Sequence, residues 1–148
     1  MKARTIDGSE RTWVLVFETG DEVVSTLQSF AAAQRLAAAH FSAIGAFREA
    51  TLAYFDWESK AYEKIFVREQ VEVLALVGDV TLDRDAPKIH AHVVVGKRDG
   101  TAHGGHLLAA HVRPTLEVML TEAPMHLRRS FDPMSGLALI DVGRSVPR

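Results

Sequence analysis

The residues able to do chemistry gather in one stretch, KIHAHVVVGKRDGTAHGGHLL, over positions 88–108. His90 and His92 stand two apart, and side chains two apart on a strand share one face. His106 follows a predicted turn at Asp99 and Gly100. Three neutral imidazoles are a ligand set for zinc or a similar divalent ion, and they leave one tetrahedral position for water or a ligand oxygen. Whether His106 joins the pair depends on the hairpin register. A three-residue loop of Arg98, Asp99 and left-handed Gly100 pairs Lys97 with Thr101 and sets His92 opposite His106. A two-residue loop shifts the register by one and sends His106 to the far face, unless a bulge at Gly104 and Gly105 restores it. The competing reading is a polar sheet face that merely carries histidines.

The other histidines are left out of the site. His103 falls opposite Val95 on the other face, His111 is out of phase with His106, and His40 and His126 lie near element ends. Glu49 is a candidate general base or orienting carboxylate, although a salt bridge with a neighbour is the favoured reading. Spacing specifies no Ser/His/Asp arrangement and no phosphate-cradling loop, so the catalytic residues are unknown and no organic cofactor site is assigned.

The elements that must position these residues are mostly strands. Residues 12–18 (TWVLVFE) form a short apolar strand before Gly20, and Asp21 offers a helix N-cap. Residues 22–39 read as the one long helix, with Val23, Leu27, Phe30, Gln34 and Ala38 at helical spacing. Strands are expected at 46–55, at 61–67 after a turn at 56–60, and at 70–77, ending at Gly78 and Asp79. Pro114 interrupts the way out of the histidine hairpin, and 115–122 reads as a separate half-buried strand. Short strands near 127–131 and 137–142 flank a turn at Asp132, Pro133 and Gly136. The predicted fold class is α+β: a largely antiparallel sheet with one main helix packed on it, a single domain over 1–148 with its core at about 12–142.

Composition narrows the class. The chain has 148 residues, enough for one domain with a real core. Its 47% apolar and 24% charged residues are ordinary for a globular protein. There are no cysteines, which excludes disulfides, thiolate metal sites and cysteine nucleophiles. Residues 1–10 are polar and lack a signal-peptide core, and no run approaches membrane-spanning length, so the expected location is the cytoplasm, with no membrane partner. The net charge is −2, and the 17 Lys and Arg are scattered, with Lys97-Arg98 and Arg128-Arg129 the densest pairs. Phosphate-driven nucleic-acid binding usually needs a basic excess or patch.

Several segments together resemble the plants and prokaryotes conserved (PPC) domain in its free-standing prokaryotic form. They are IGAFREATL (44–52), VEVLALVG (71–78), HAHV (90–93), Asp99-Gly100, GGHLL (104–108), RPTLEVMLTE (113–122) and FDPMSGL (131–137). The likeness runs over about residues 12–142. It implies an α+β fold assembled as a homotrimer, and it matches His90, His92 and His106 to a metal site of prokaryotic members. In plants the domain follows AT hooks that enter the DNA minor groove. No such hook is present here, and the nearest candidate, GRSVPR (143–148), lacks the Arg-Gly-Arg core. Association with DNA therefore rests on the resemblance alone and is expected to be indirect or weak.

Two functions compete. The first is a trimeric binding or regulatory module with a three-histidine site for a divalent metal, zinc by ligand type, and room for a small-molecule ligand at the metal. The alternative is a small metal-dependent hydrolase using a metal-activated water. Whether the chain is an enzyme stays open at this point.

Overall fold

A computed structural model describes residues 1–6 and 11–147. Positions 7–10 of the polar amino-terminal segment, and Arg148 at the end of the hook candidate, lie outside the described residues. The order of elements is β1 (Lys2–Ile6), β2 (Thr12–Glu18), α1 (Val23–Ala33), β3 (Ala38–Asp56), β4 (Ala61–Val67), β5 (Val71–Asp83), β6 (Ala86–Gly96), β7 (Ala102–Glu122), β8 (Met125–Asp132) and β9 (Leu137–Pro147). All nine strands join one sheet in the order β1-β2-β7-β3-β5-β8-β9, with β4 on β3 and β6 between β5 and β7. Every pairing is antiparallel except a single parallel bridge, Leu82 to Arg128. The antiparallel sheet with one helix is as predicted, but strand dominates more than an α+β label conveys. β3 and β7 run 19 and 21 residues, whereas the helix has only 11.

The helix is shorter than its apolar spacing predicted, for a local reason. Arg35 takes a left-handed φ of 53°, and the Leu36 N–H donates to the Ala31 carbonyl at 2.9 Å, closing the last turn. Leu36 is fully buried, and Ala38 and Ala39 go into β3 instead. The N-cap is Glu22 and not Asp21. Its carboxylate accepts from the Val24 and Ser25 N–H groups at 3.2 and 2.7 Å, while Asp21 turns back to the Glu18 N–H at 3.0 Å. Val23, Leu27, Phe30 and Ala31 form the buried helix face, and the Phe30 ring meets Trp13 edge-on at 5.9 Å.

Two expected breaks do not occur. β5 passes through Gly78 and Asp79 to a tight turn at Arg84 and Asp85, both left-handed, with Asp83 paired to Ala86. Gly78 is there for packing: a Cβ would sit 2.3 Å from the Phe41 ring and 2.5 Å from the His90 carbonyl oxygen. β7 likewise continues past Pro114. The β3–β7 ladder skips this stretch, stepping from Gly45/Leu116 to Phe47/Val112, so the missing proline N–H interrupts no ladder bond there.

Candidate metal centre

The histidine hairpin takes the three-residue loop. The Lys97 N–H donates to the Thr101 carbonyl at 2.8 Å, the Gly100 N–H donates to Lys97 at 3.0 Å, and Gly100 has a φ of +83°. Asp99 holds the turn by accepting from the Thr101 N–H and hydroxyl at 2.9 and 2.6 Å. The ladder then runs from Gly96/Ala102 to His92/His106 without a shift. Gly104 and Gly105 therefore make no bulge against β6. Gly105 instead permits a close approach on its other side, since a Cβ would lie 2.7 Å from the Ala53 carbonyl oxygen.

This register brings His90, His92 and His106 together. One ligand atom from each lies within 4.8 Å of the others, and the Nε2 atoms of His90 and His92 are 3.3 Å apart. The three ring centroids are 5.1 to 5.3 Å from one another. Tyr62 of β4 stacks on His106 at 4.8 Å. Burial, then repulsion from His90, His92 and Lys88, pushes the His106 imidazole down to about 4. His92 is lowered too, by burial and by His90. Lowered pKa values keep these rings in the neutral form a metal requires. Among the described residues the buried Nδ1 of His106 has no hydrogen-bond partner, and orphaned buried nitrogens are rare in folded chains. The donor set and that unsatisfied nitrogen fit a metal ligated by three imidazoles.

A carboxylate stands behind the cluster. Asp79 Oδ2 is 3.4 Å from His90 Nδ1, the nitrogen turned away from His92. Its other oxygen accepts from Arg129 Nη2 at 2.8 Å. Burial pushes the Asp79 carboxyl up, but the hydrogen bond from His90 and the charge and N–H of Arg129 outweigh it and hold the pKa below its usual value. Arg129 is 8% exposed and also donates to Thr81 Oγ1 at 2.7 Å and to the Ala138 carbonyl at 2.9 Å. A carboxylate on the far nitrogen of a ligating histidine fixes its tautomer and ring orientation. From the helix, the Gln28 amide donates to the Pro87 carbonyl and accepts from the Ile89 N–H at 3.3 Å. It clips the free edge of β6 just ahead of His90.

Sequence reasoning missed Asp79 because Gly78 looked like a strand end. Carrying β5 on to a two-residue turn at Arg84 and Asp85 gives the pairing Asp79/His90 directly. Glu49 stays with Arg48 at 2.7 Å and with His111 Nδ1 at 3.4 Å, away from the three histidines, as a salt-bridge residue. His103 pairs with Val95, His126 with Val146, and His40 with Asp79 and Thr121 on the neighbouring strands.

Solved structures place this geometry among known proteins. The chain superposes with a TM-score of 0.89 on a protein from Bacteroides thetaiotaomicron described as a candidate DNA-binding protein; it is 27% identical, covering 96% of this chain and 99% of that one. A plant- and prokaryote-conserved (PPC) protein of Pyrococcus horikoshii matches at 28% identity, 92% and 96% coverage and a TM-score of 0.84. A metal-containing protein of Archaeoglobus fulgidus is 37% identical, with 95% and 99% coverage and a TM-score of 0.80. Among curated sequences, the bifunctional protein GlmU of a Synechococcus species is 31% identical over 132 residues, which is 87% of this chain. The chain spans about a fifth of that relative's length, 20%. Residues 4–124 match the Plants and Prokaryotes Conserved (PCC) domain, and with most of its length inside that match the chain belongs to the PCC, or PPC, family.

Proposed function

We propose that the chain is a binding or regulatory module that holds one divalent metal, zinc by ligand chemistry, on His90, His92 and His106. The observation that carries this is the convergence of three imidazole donors within 4.8 Å, with Asp79 behind one of them. A zinc ion there supplies a positive centre with one coordination position open to a ligand oxygen. The chain's own part is to keep the rings neutral and fixed: burial at His106, Asp79 behind His90, Gln28 along β6. The metal-containing relative from Archaeoglobus fulgidus supports the same reading. Metal analysis of purified protein beside His92→Ala tests it. Wild type is expected to keep close to one ion per chain after dialysis and the variant to lose it; equal retention removes the assignment.

The alternative, a metal-dependent hydrolase, needs a base to act on the water. The two carboxylates with a claim to that role are engaged, Asp79 by His90 and Arg129, and Glu49 by Arg48 and His111. Binding is therefore favoured over turnover.

The assembly we propose is a homotrimer. Met119, Ser42, Val77 and His92 are successive cross-strand partners, and Met119 and Val77 are 46% and 55% exposed. Ile44, Leu74 and Val94 extend the same exposed apolar surface. A patch of this kind is normally covered by another layer or subunit, and three-fold closure would cover it up to the edge of the histidine cluster. Contact with DNA, named for some relatives, is proposed here as indirect. The net charge is −2, and residues 143–147 are part of β9, where Val146 and Pro147 pair with β8.

A further inference from the structure

A cleft of about 210 Å³ opens beside the histidines, between β6 and the β8–β9 hairpin. Its lining includes His90 and His106, Tyr62 of β4, and Leu137 and Leu139 of β9. Two cations border it, and they differ in kind. Arg129 is buried, and each of its three nitrogens already donates to a protein oxygen, so it acts as a fixed wall that keeps Asp79 turned to His90. Lys88 is exposed, two residues before His90 and on the same strand face. Among the described residues no carboxylate pairs with it, and it lines the same cleft as His90 and His106. The Gln28 clip grips the backbone on both sides of Lys88, at Pro87 and Ile89, so the strand from which this ammonium extends is held in place.

The charge balance of the cleft is positive. Asp79 is offset by Arg129, imidazoles that ligate a metal are uncharged, and Lys88 and the ion are left to be balanced from outside. An acid group meets both demands, since an oxygen anion can take the open metal position while the ammonium pairs with it. The flanks are a stacked aromatic ring and two leucines, so the rest of the occupant is apolar. Its size is limited. Ligand pockets for drug-sized molecules are roughly 300–1,000 Å³, and this one is smaller, so a nucleotide does not fit inside it.

We propose that this cleft binds a small organic carboxylate, its acid group between Lys88 and the metal on His90 and His106, its apolar body against Tyr62, Leu137 and Leu139. The placement of the acid group rests on the metal reading above; Lys88 and the apolar flanks do not.

The test titrates zinc-loaded protein with isovalerate, with isovaleramide as a neutral match of the same shape, and with inorganic phosphate. Binding is read by calorimetry and by two-dimensional NMR of the backbone amides. Isovalerate is expected to shift signals of Tyr62, Leu137 and Leu139, and the amide to leave them in place. Lys88→Met is expected to weaken isovalerate about tenfold or more while bound zinc stays unchanged. Leu139→Glu, which sets a like charge in the apolar lining, is expected to weaken it as well. Equal binding of acid and amide, or an unaffected Lys88→Met, overturns the proposal. Phosphate binding as tightly as isovalerate overturns its apolar half. If metal analysis finds no zinc in the wild type, the metal reading fails on its own. The same titration of the metal-free chain then still expects a Lys88-dependent preference for acid over amide, and no preference overturns the carboxylate site.

Discussion

Asp79 touches His90 with one oxygen and Arg129 with the other, so altering its charge would reach the proposed metal through ring orientation and not through direct contact. Asp79→Asn keeps the shape and removes the charge. Metal affinity is expected to fall about 10–100-fold, measured by competition with a chromophoric chelator; an unchanged affinity would show that His90 needs no orienting partner. The lowered imidazole of His106 has its own signature in the metal-free protein. Its folded pKa, about 4, lies below the ordinary 6.5, so between those values the unfolded chain holds a proton that the folded chain does not. Stability from this group is therefore complete above about pH 6.5 and lost as pH falls toward 4. Urea midpoints across that window are expected to drop less steeply in His106→Gln than in wild type. The three histidines were legible in the sequence because one hairpin with recognisable turn chemistry sets their register. Asp79 was not, because a glycine before an aspartate has the same look whether it ends a strand or makes room for a ring.

Among the elements, β6 is held along its free edge by one helical side chain. Removing the amide in Gln28→Ala leaves the Pro87 carbonyl and Ile89 N–H without that partner. Leaving buried backbone groups unsatisfied costs about 1–3 kcal/mol each at most. A loss of stability of that order is expected in urea unfolding, together with weaker metal retention, because His90 adjoins the clipped segment. Unchanged stability and metal content would reduce Gln28 to a surface residue. Strand existence and the hairpin were readable from alternation and turn residues, and β2 and β4 have the predicted bounds. The helix end was not readable. Gln34 and Ala38 continue its apolar spacing, but the left-handed turn at Arg35 and the burial of Leu36 decide the matter through tertiary packing. β1 was missed as well: its pairing with β2 is a backbone match that its mixed sequence does not announce.

For the molecule as a whole, the exposed apolar row from Met119 to Val77 leads to a prediction about mass. Light scattering coupled to size exclusion is expected to give three chains per particle at micromolar concentration. Val77→Glu, a charge in the middle of that row, is expected to shift the population toward single chains. A monomeric wild type removes the trimer. DNA binding by the isolated protein is expected to be negligible, because an acidic balance gains little from counterion release. An anisotropy titration that finds submicromolar affinity for duplex at ~150 mM salt contradicts this.

Asp79, His90, His92 and His106 all lie on one uninterrupted meander, β5 to β6 to β7, joined by two tight turns. The strands that reach β7 from farther along the chain, β2 and β3, carry none of the three imidazoles, although Ala53 of β3 pairs with His106. Closing short loops costs little chain entropy, so these ligands can meet long before the distant strands do. The meander would thus offer the proposed metal a foothold on the unfolded chain. An ion that also binds the unfolded state stabilises the fold by less than its affinity for the native site implies. Zinc is then expected to speed refolding more than it slows unfolding: the ion acts early, as a splint for the meander, before the sheet around it closes.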